Sequence, residues 1–154
     1  MQSFRVIKPT AALVPYVRHY WVLSDDALAP VSERTLPVGC VQMVFHRGRQ
    51  LFSLTEGRLQ PSSFISGQAF GYSDVESTGM LEMIVVVFQP FAAKAFLHMP
   101  VSEFRGMNVN TEETGNPLLV DLGRRIADMP DRVACIRLIE EFLLSRLYAF
   151  PEYN

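Results

Sequence analysis

Three histidines, His19, His46 and His98, are the side chains best suited to proton transfer or metal binding, and each sits in a separate stretch of the chain. No two stand at HxH or HExxH spacing, so no single strand or helix offers a pair of imidazoles to one ion. Each lies near an apolar run, where a lone imidazole reads as a satisfied side chain. Cys40 and Cys135 are far apart and each has apolar neighbours, a context for buried free thiols rather than metal ligands. Ser66 and Ser102 lie outside any G-x-S-x-G pattern, and no glycine-rich phosphate loop is present. Glu82 flanks an apolar run and is expected at the solvent end of a strand, its alternative being a buried carboxylate. The sequence therefore predicts no catalytic residue, no metal and no cofactor.

The elements that would position these residues are organised around 81–99. Met83 to Phe88 is an apolar hexad rich in β-branched side chains, which predicts a central strand buried on both faces. Pro90 ends the ladder and presets the first turn of a short helix over 91–99, which Pro100 stops. Upstream, Tyr16 to Leu23 predicts a strand with Tyr16, Arg18, Tyr20 and Val22 on one face and Val17, His19, Trp21 and Leu23 on the other. Trp21, the sole tryptophan, reads as a core anchor. After a turn at Pro37 and Gly39, Cys40 to His46 alternates. Val41, Met43 and Phe45 face one way, and Gln42, Val44 and His46 face the other. The second face is expected to be solvated, its alternative being the wall of a ligand cavity. Leu51 to Leu54 and Pro61 to Gly67 predict further strands, with loop or hairpin over Gln68 to Gly79.

From Asn116 the period changes to that of helices. Pro117 opens one that Pro130 stops, with Leu118, Leu119, Leu122 and Ile126 at helical spacing. Asp131 caps a longer helix reaching Tyr148, with Val133, Ile136, Ile139, Leu143 and Leu147 in one stripe, widened by Leu138 and Phe142. That stripe exceeds what one contact needs, so Ile136, Ile139, Leu143 and Leu147 are expected at a dimer interface. Five arginines between Pro117 and Tyr148 are balanced by five carboxylates, and the faces are leucine-like. A DNA-reading helix requires the opposite balance.

A net charge of −2 argues against a surface-wide phosphate-binding footprint. The 154 residues suffice for one domain burying roughly 70% of its unfolded surface, without disulfides. No apolar run approaches the roughly 18 residues of a membrane span, and no signal peptide opens the chain. A cytoplasmic protein is expected, folded as a single domain over 1–154. Residues 1–110 are mainly β, and 116–148 form a helical pair.

The order of motifs resembles the N-terminal, non-DNA-binding domain of AraC-type bacterial transcriptional regulators. The resemblance rests on Pro15-Tyr16-Val17-Arg18-His19-Tyr20-Trp21, on Leu36-Pro37-Val38-Gly39-Cys40 leading into Val44-Phe45, and on Phe64-Ile65-Ser66-Gly67-Gln68. It continues through Val87-Phe88-Gln89-Pro90-Phe91-Ala92-Ala93 and closes with Asp131-Arg132-Val133 running to Glu141-Phe142-Leu143-Leu144-Ser145-Arg146-Leu147. Two positions depart from the pattern: Val38 stands where an Asp is common, and Gln42 where an acidic residue is common. Both border the expected cavity.

What the resemblance implies is an α+β fold, a cupin-like β-sandwich or barrel with a short helix after the central strand and two C-terminal helices. The implied role is effector sensing and dimerisation without catalysis, with an unknown small molecule as effector. The helix-turn-helix domain that would contact DNA lies outside these residues. Trp21, Gln42, His46 and Phe88 are the expected ligand-binding residues. A barrel filled by its own side chains would make the chain a pure dimerisation module instead. A cupin-type metal enzyme would need two histidines one residue apart, and this chain lacks that pair.

Overall fold

The computed structural model describes residues 2–25, 32–35, 41–67, 73–90, 92–93, 96 and 108–149. In chain order the strands are β1 (Gln2–Ile7), β2 (Val17–Asp25), β3 (Ser32–Thr35), β4 (Gln42–His46), β5 (Phe52–Ser53), β6 (Arg58–Leu59), β7 (Ser63–Ser66), β8 (Ser73–Glu76), β9 (Leu81–Phe88) and β10 (Asn108–Asn110). Helices α1 (Pro117–Asp128) and α2 (Arg132–Ala149) follow. Among the described residues these strands form two antiparallel sheets, ordered β1-β2-β9-β4-β7-β10 and β3-β8-β5-β6. The fold is α+β.

Strand β9 holds the apolar hexad between β2 and β4, and from Met83 to Phe88 every residue is buried. An antiparallel strand is commonly wet on one face; this one is covered on both. Ile84, Val86 and Phe88 join a core cluster with Tyr20, Phe45 and the helix residues Leu119, Ile126 and Ile139. Met83, Val85 and Val87 join a second cluster with Val44 and Phe64, closed by Leu51 and Val75 from beside and within the smaller sheet. The larger sheet is thus the middle layer, with helices on one face and the small sheet on the other.

Both helix boundaries follow local chemistry. The Asn116 side chain accepts from the amides of Leu118 and Leu119 at 3.1 and 3.3 Å, with Pro117 at the start of the helix. Asp131 does the same for α2, accepting from Val133 N at 3.1 Å. Helix α1 approaches β7 at Gly123, where an added Cβ would stand 2.7 Å from Ser63 Oγ. That hydroxyl is held 2.8 Å from Thr111 Oγ1, so it has little freedom to retreat. Gly123→Ala is expected to lose about 1–2 kcal/mol, overpacking outweighing the better helix propensity of alanine. Urea midpoints check this, and removing the obstructing hydroxyl with Ser63→Ala should recover part of the loss.

Four expectations are corrected by the structure. The loop or hairpin expected over 68–79 contains, in its described part, the strand β8, whose partners β3 and β5 lie elsewhere in the chain. A bulge between Val17 and His19 shifts the phase of β2 and turns Val17 onto the helix side with Tyr20 and Val22. The Gln42-Val44-His46 face is not solvated: Val44 and His46 are buried, because the small sheet covers that side. Val133 leaves the apolar stripe of α2 and is 63% exposed. The expected helix over 91–99 falls mostly outside the described residues; within it, Ala93 and Phe96 are helical and buried.

Candidate functional site

Cross-strand register aligns the side chains facing the small sheet into rows. Gln42 of β4 lies opposite Ser66 of β7 and Val87 of β9, and Val87 opposite His19 of β2, giving one end of this face a polar row. The next row is apolar: Phe64, Val44, Val85 and Trp21. At the far end His46 pairs with Met83, and Met83 with Leu23. The face is an apolar strip with polar groups at both ends, a distribution that fixes a ligand's orientation where such a face lines a site.

His46 is its most unusual member. The side chain is 4% exposed, its ring lies 6.1 Å from that of Phe64, and its Nε2 is 2.9 Å from Gln60 Oε1. With that amide oxygen accepting, Nε2 carries the proton and Nδ1 is left as an acceptor. Nδ1 is buried and has no hydrogen-bond partner among the described residues. A buried orphan acceptor costs about 1–3 kcal/mol, a cost relieved by any group that donates to it.

Burial pushes the His46 pKa below its ordinary value, and the Gln60 contact only partly opposes this. The unfolded chain then takes up the proton first. Stability is full above the ordinary histidine pKa of about 6.5 and is lost as pH falls from there toward the folded-state pKa. Against His46→Gln, the wild type should lose up to about 1.4 kcal/mol more per pH unit in that window. Parallel stability curves for the two proteins would show that His46 titrates freely in the folded state.

The residue after His46 reaches the opposite layer. Arg47 donates from Nε to Ile126 O at 3.2 Å and from its second terminal nitrogen to Met129 O, gripping the carbonyls that end α1. Its Nη1 meets Glu82 Oε1 at 2.6 Å, and Arg132 Nε meets the same oxygen at 2.7 Å. Gly48 lets the chain turn tightly here, since a Cβ would stand 2.6 Å from Met80 O. The turn between the helices is thereby tied to the ends of β4 and β9. A second tie holds the middle of α2, where Glu140 Oε2 accepts from Tyr20 Oη at 3.0 Å and Thr10 N at 2.9 Å. Burial, reinforced by the carboxylate, pushes the Tyr20 pKa up and keeps it a donor.

Of the expected ligand residues, Trp21, Gln42 and His46 share the face toward the small sheet. Phe88 does not. It belongs to the helix-side core and stacks on Phe96 with ring centroids 5.4 Å apart, because even-numbered residues of β9 point away from the small sheet. Trp21 is half-buried and packs against the inter-sheet cluster and Phe4. The residues expected at a dimer face are committed within the chain: Ile139 and Leu143 are 0% exposed, and Ile136 and Leu147 are buried with them in the helix-side core. The wide stripe of α2 faces its own sheet and α1.

Sequence reasoning missed Gln60, for which no local signal exists, and Arg47, whose role depends on a helix end about 80 residues away in the chain. Glu82 is partly buried in an ion pair rather than lying free at a solvent end. Cys135 is buried as expected, and burial pushes its thiol pKa up. Cys40, His98, Val38 and Gly39 lie outside the described residues. Among the described residues no group of three His, Cys, Asp or Glu side chains is close enough to hold a metal ion. No described helix is long and apolar enough to cross a membrane.

Comparison with known proteins gives one family match. Residues 5–110 match the family described as "Domain of unknown function (DUF6597)". No curated protein matches the chain. Among solved structures, the chain is similar to one titled "Crystal structure of the AraC-like transcriptional activator CuxR", at 9% identity and a TM-score of 0.39. That likeness covers 96% of this chain and 61% of the other, so this chain spans about three fifths of that protein. The family match runs from within β1 to the end of β10, and on that match the chain belongs to the DUF6597 family.

Proposed function

We propose that this chain is the effector-sensing and dimerising domain of an AraC-type transcriptional regulator, cupin-like in its β region and acting without catalysis in the cytoplasm. Five motifs in family order support the reading. The observation that carries it is the pairing of two neighbouring residues: His46, buried with an Nδ1 that has no partner among the described residues, and Arg47, which holds the turn between the helices. An effector that donates an O–H or N–H to Nδ1 binds one arrangement of the end of β4 better than another. Arg47 passes that preference to α1 and α2. Regulation is then a population shift, limited in size by the effector's differential affinity. DNA is reached only through a helix-turn-helix domain outside these residues.

A second reading, a pure dimerisation module, is favoured by one observation: the described inter-sheet cluster is filled by its own apolar side chains. A thermal-shift screen of uncharged phenols, alcohols and amides, with native mass spectrometry of the hits, separates the two. On the sensing reading, compounds that donate a hydrogen bond raise the melting temperature of the wild type and not of His46→Phe. The sensing reading fails if no compound discriminates between the two proteins while both remain dimeric.

A further inference from the structure

Strand β1 is an outer strand of the larger sheet, and among the described residues β2 is its one strand neighbour. Its register with β2 is unbroken from Gln2 to Ile7, so alternate N–H and C=O groups point outward along its free side. Edges that stay unpaired are commonly blunted by a bulge or a proline, and β1 has neither along its length; Pro9 comes after its end. Cross-strand pairing sets Phe4 beside Leu23 and Val6 beside Trp21, on the face turned toward the small sheet. The cover of that sheet stops short of β1: Phe4 is 58% and Val6 57% exposed, with the Phe4 and Trp21 rings 5.6 Å apart. Arg5 points to the opposite face, and Lys8 stands just past the strand. Both are exposed, and among the described residues their side chains take part in no hydrogen bond or ion pair. Residues 1–24 contain Arg5, Lys8 and Arg18 and no Asp or Glu, so this edge is basic in a chain whose net charge is −2.

We propose that the free edge of β1 takes an extended, acidic segment of a partner protein as a seventh strand of the larger sheet. The unpaired backbone selects the conformation, because an extended chain satisfies a row of outward N–H and C=O groups. The period of two selects the pattern. Apolar residues of the segment lie beside Phe4 and Val6, and the residues between them lie on the face of Arg5, where a carboxylate meets a guanidinium. Lys8 extends the positive potential past the strand. A second copy of this chain is a poor occupant, since its own β1 brings the same two cations to the contact. A single-stranded nucleic acid answers the cations but leaves the strand's amide and carbonyl groups unpaired. The inference goes beyond the sensing reading and needs nothing from it: β1 is three strands away from β4 and His46.

Trp21 is the sole tryptophan and lies across from Val6, so its emission reports on this edge without a label. The probe is a short capped peptide alternating valine and glutamate, titrated into the whole chain at low salt, with amide exchange read along β1. Saturable change in Trp21 emission, slower exchange at the outward β1 amides and weakening by added salt are expected. A peptide of the same residues in two blocks, and one N-methylated at alternate amides, should bind about tenfold more weakly or worse. The Arg5→Glu, Lys8→Glu double variant should lose about tenfold for the acidic peptide and gain binding of the valine–lysine counterpart. Both positions are exposed, so its melting temperature should stay near that of the wild type and show that it folds. The proposal is overturned if the alternating peptide does not bind, if the block or N-methylated peptide binds as well, or if charge reversal leaves the preference unchanged. Binding of a single-stranded oligonucleotide in place of the peptide overturns it too.

Discussion

Replacing Ile139 and Leu143 of α2 with lysine is expected to unfold the protein rather than release a folded monomer. Both side chains are fully buried in the cluster that joins α2 to α1 and the larger sheet. Truncating either one to alanine should cost about 2–5 kcal/mol, from lost transfer free energy plus the cavity left behind. A lysine at the same place adds the desolvation of a charge for which the cluster offers no partner. Against a total stability of roughly 5–15 kcal/mol, the double lysine variant exceeds what the fold can absorb. Far-ultraviolet circular dichroism and urea titration should show loss of the cooperative transition. A folded, cooperative double variant would mean that the stripe is not core.

The second large effect is expected at Arg47. Its side chain is 8% exposed, and it joins Glu82 on β9 to the two carbonyls at the end of α1. Arg47→Ala leaves those carbonyls uncapped and a partly buried carboxylate with one partner fewer. The expected loss is about 3–5 kcal/mol, the range for breaking a buried ion pair by removing one member. Arg132 contacts the same Glu82 oxygen but is 45% exposed. Solvent screens that contact, so Arg132→Ala should cost only about 0–1 kcal/mol. Urea midpoints for the two variants check the contrast; equal losses would mean that burial does not distinguish the two arginines.

The contrast between these residues explains how much could be read from the sequence. Period and capping signals are local. They gave the central strand around Val85 and both C-terminal helices, to within a residue at Pro117 and at Asp131. Alternation along β4 gave the two faces correctly, yet not what covers them. Whether Val44 and His46 meet water or a second sheet depends on β5 and β8, short strands with weak signals of their own. The bulge beside Arg18 moved Val17 to the other face, and no pattern in the residues marks it. The wide apolar stripe of α2 looks surplus in the sequence because its partners, the sheet and α1, are distant in the chain.

The candidate site was legible in part for the same reason. Trp21, Gln42 and His46 stood out as aromatic or polar members of apolar strands, and register brings them to one face. Residue type alone groups Phe88 with them, and its parity in β9 sends it to the other side. Gln60 and Arg47 act through contacts formed only once the chain is folded: Gln60 meets His46, and Arg47 reaches the carbonyls at the end of α1.

His46 on one side of the larger sheet and the helix turn on the other are expected to respond together through Arg47. Amide hydrogen exchange in the wild type and His46→Gln at neutral pH tests it most directly. The reporters are the Met129 and Cys135 amides, which donate to Ile126 O at 3.3 Å and Asp131 O at 3.1 Å on either side of the turn. Faster exchange at both amides in the variant, along with changes in β4 and β7, is the result expected. Exchange altered only in β4, β7 and the segment carrying Gln60, with Met129 and Cys135 unchanged, would contradict the coupling.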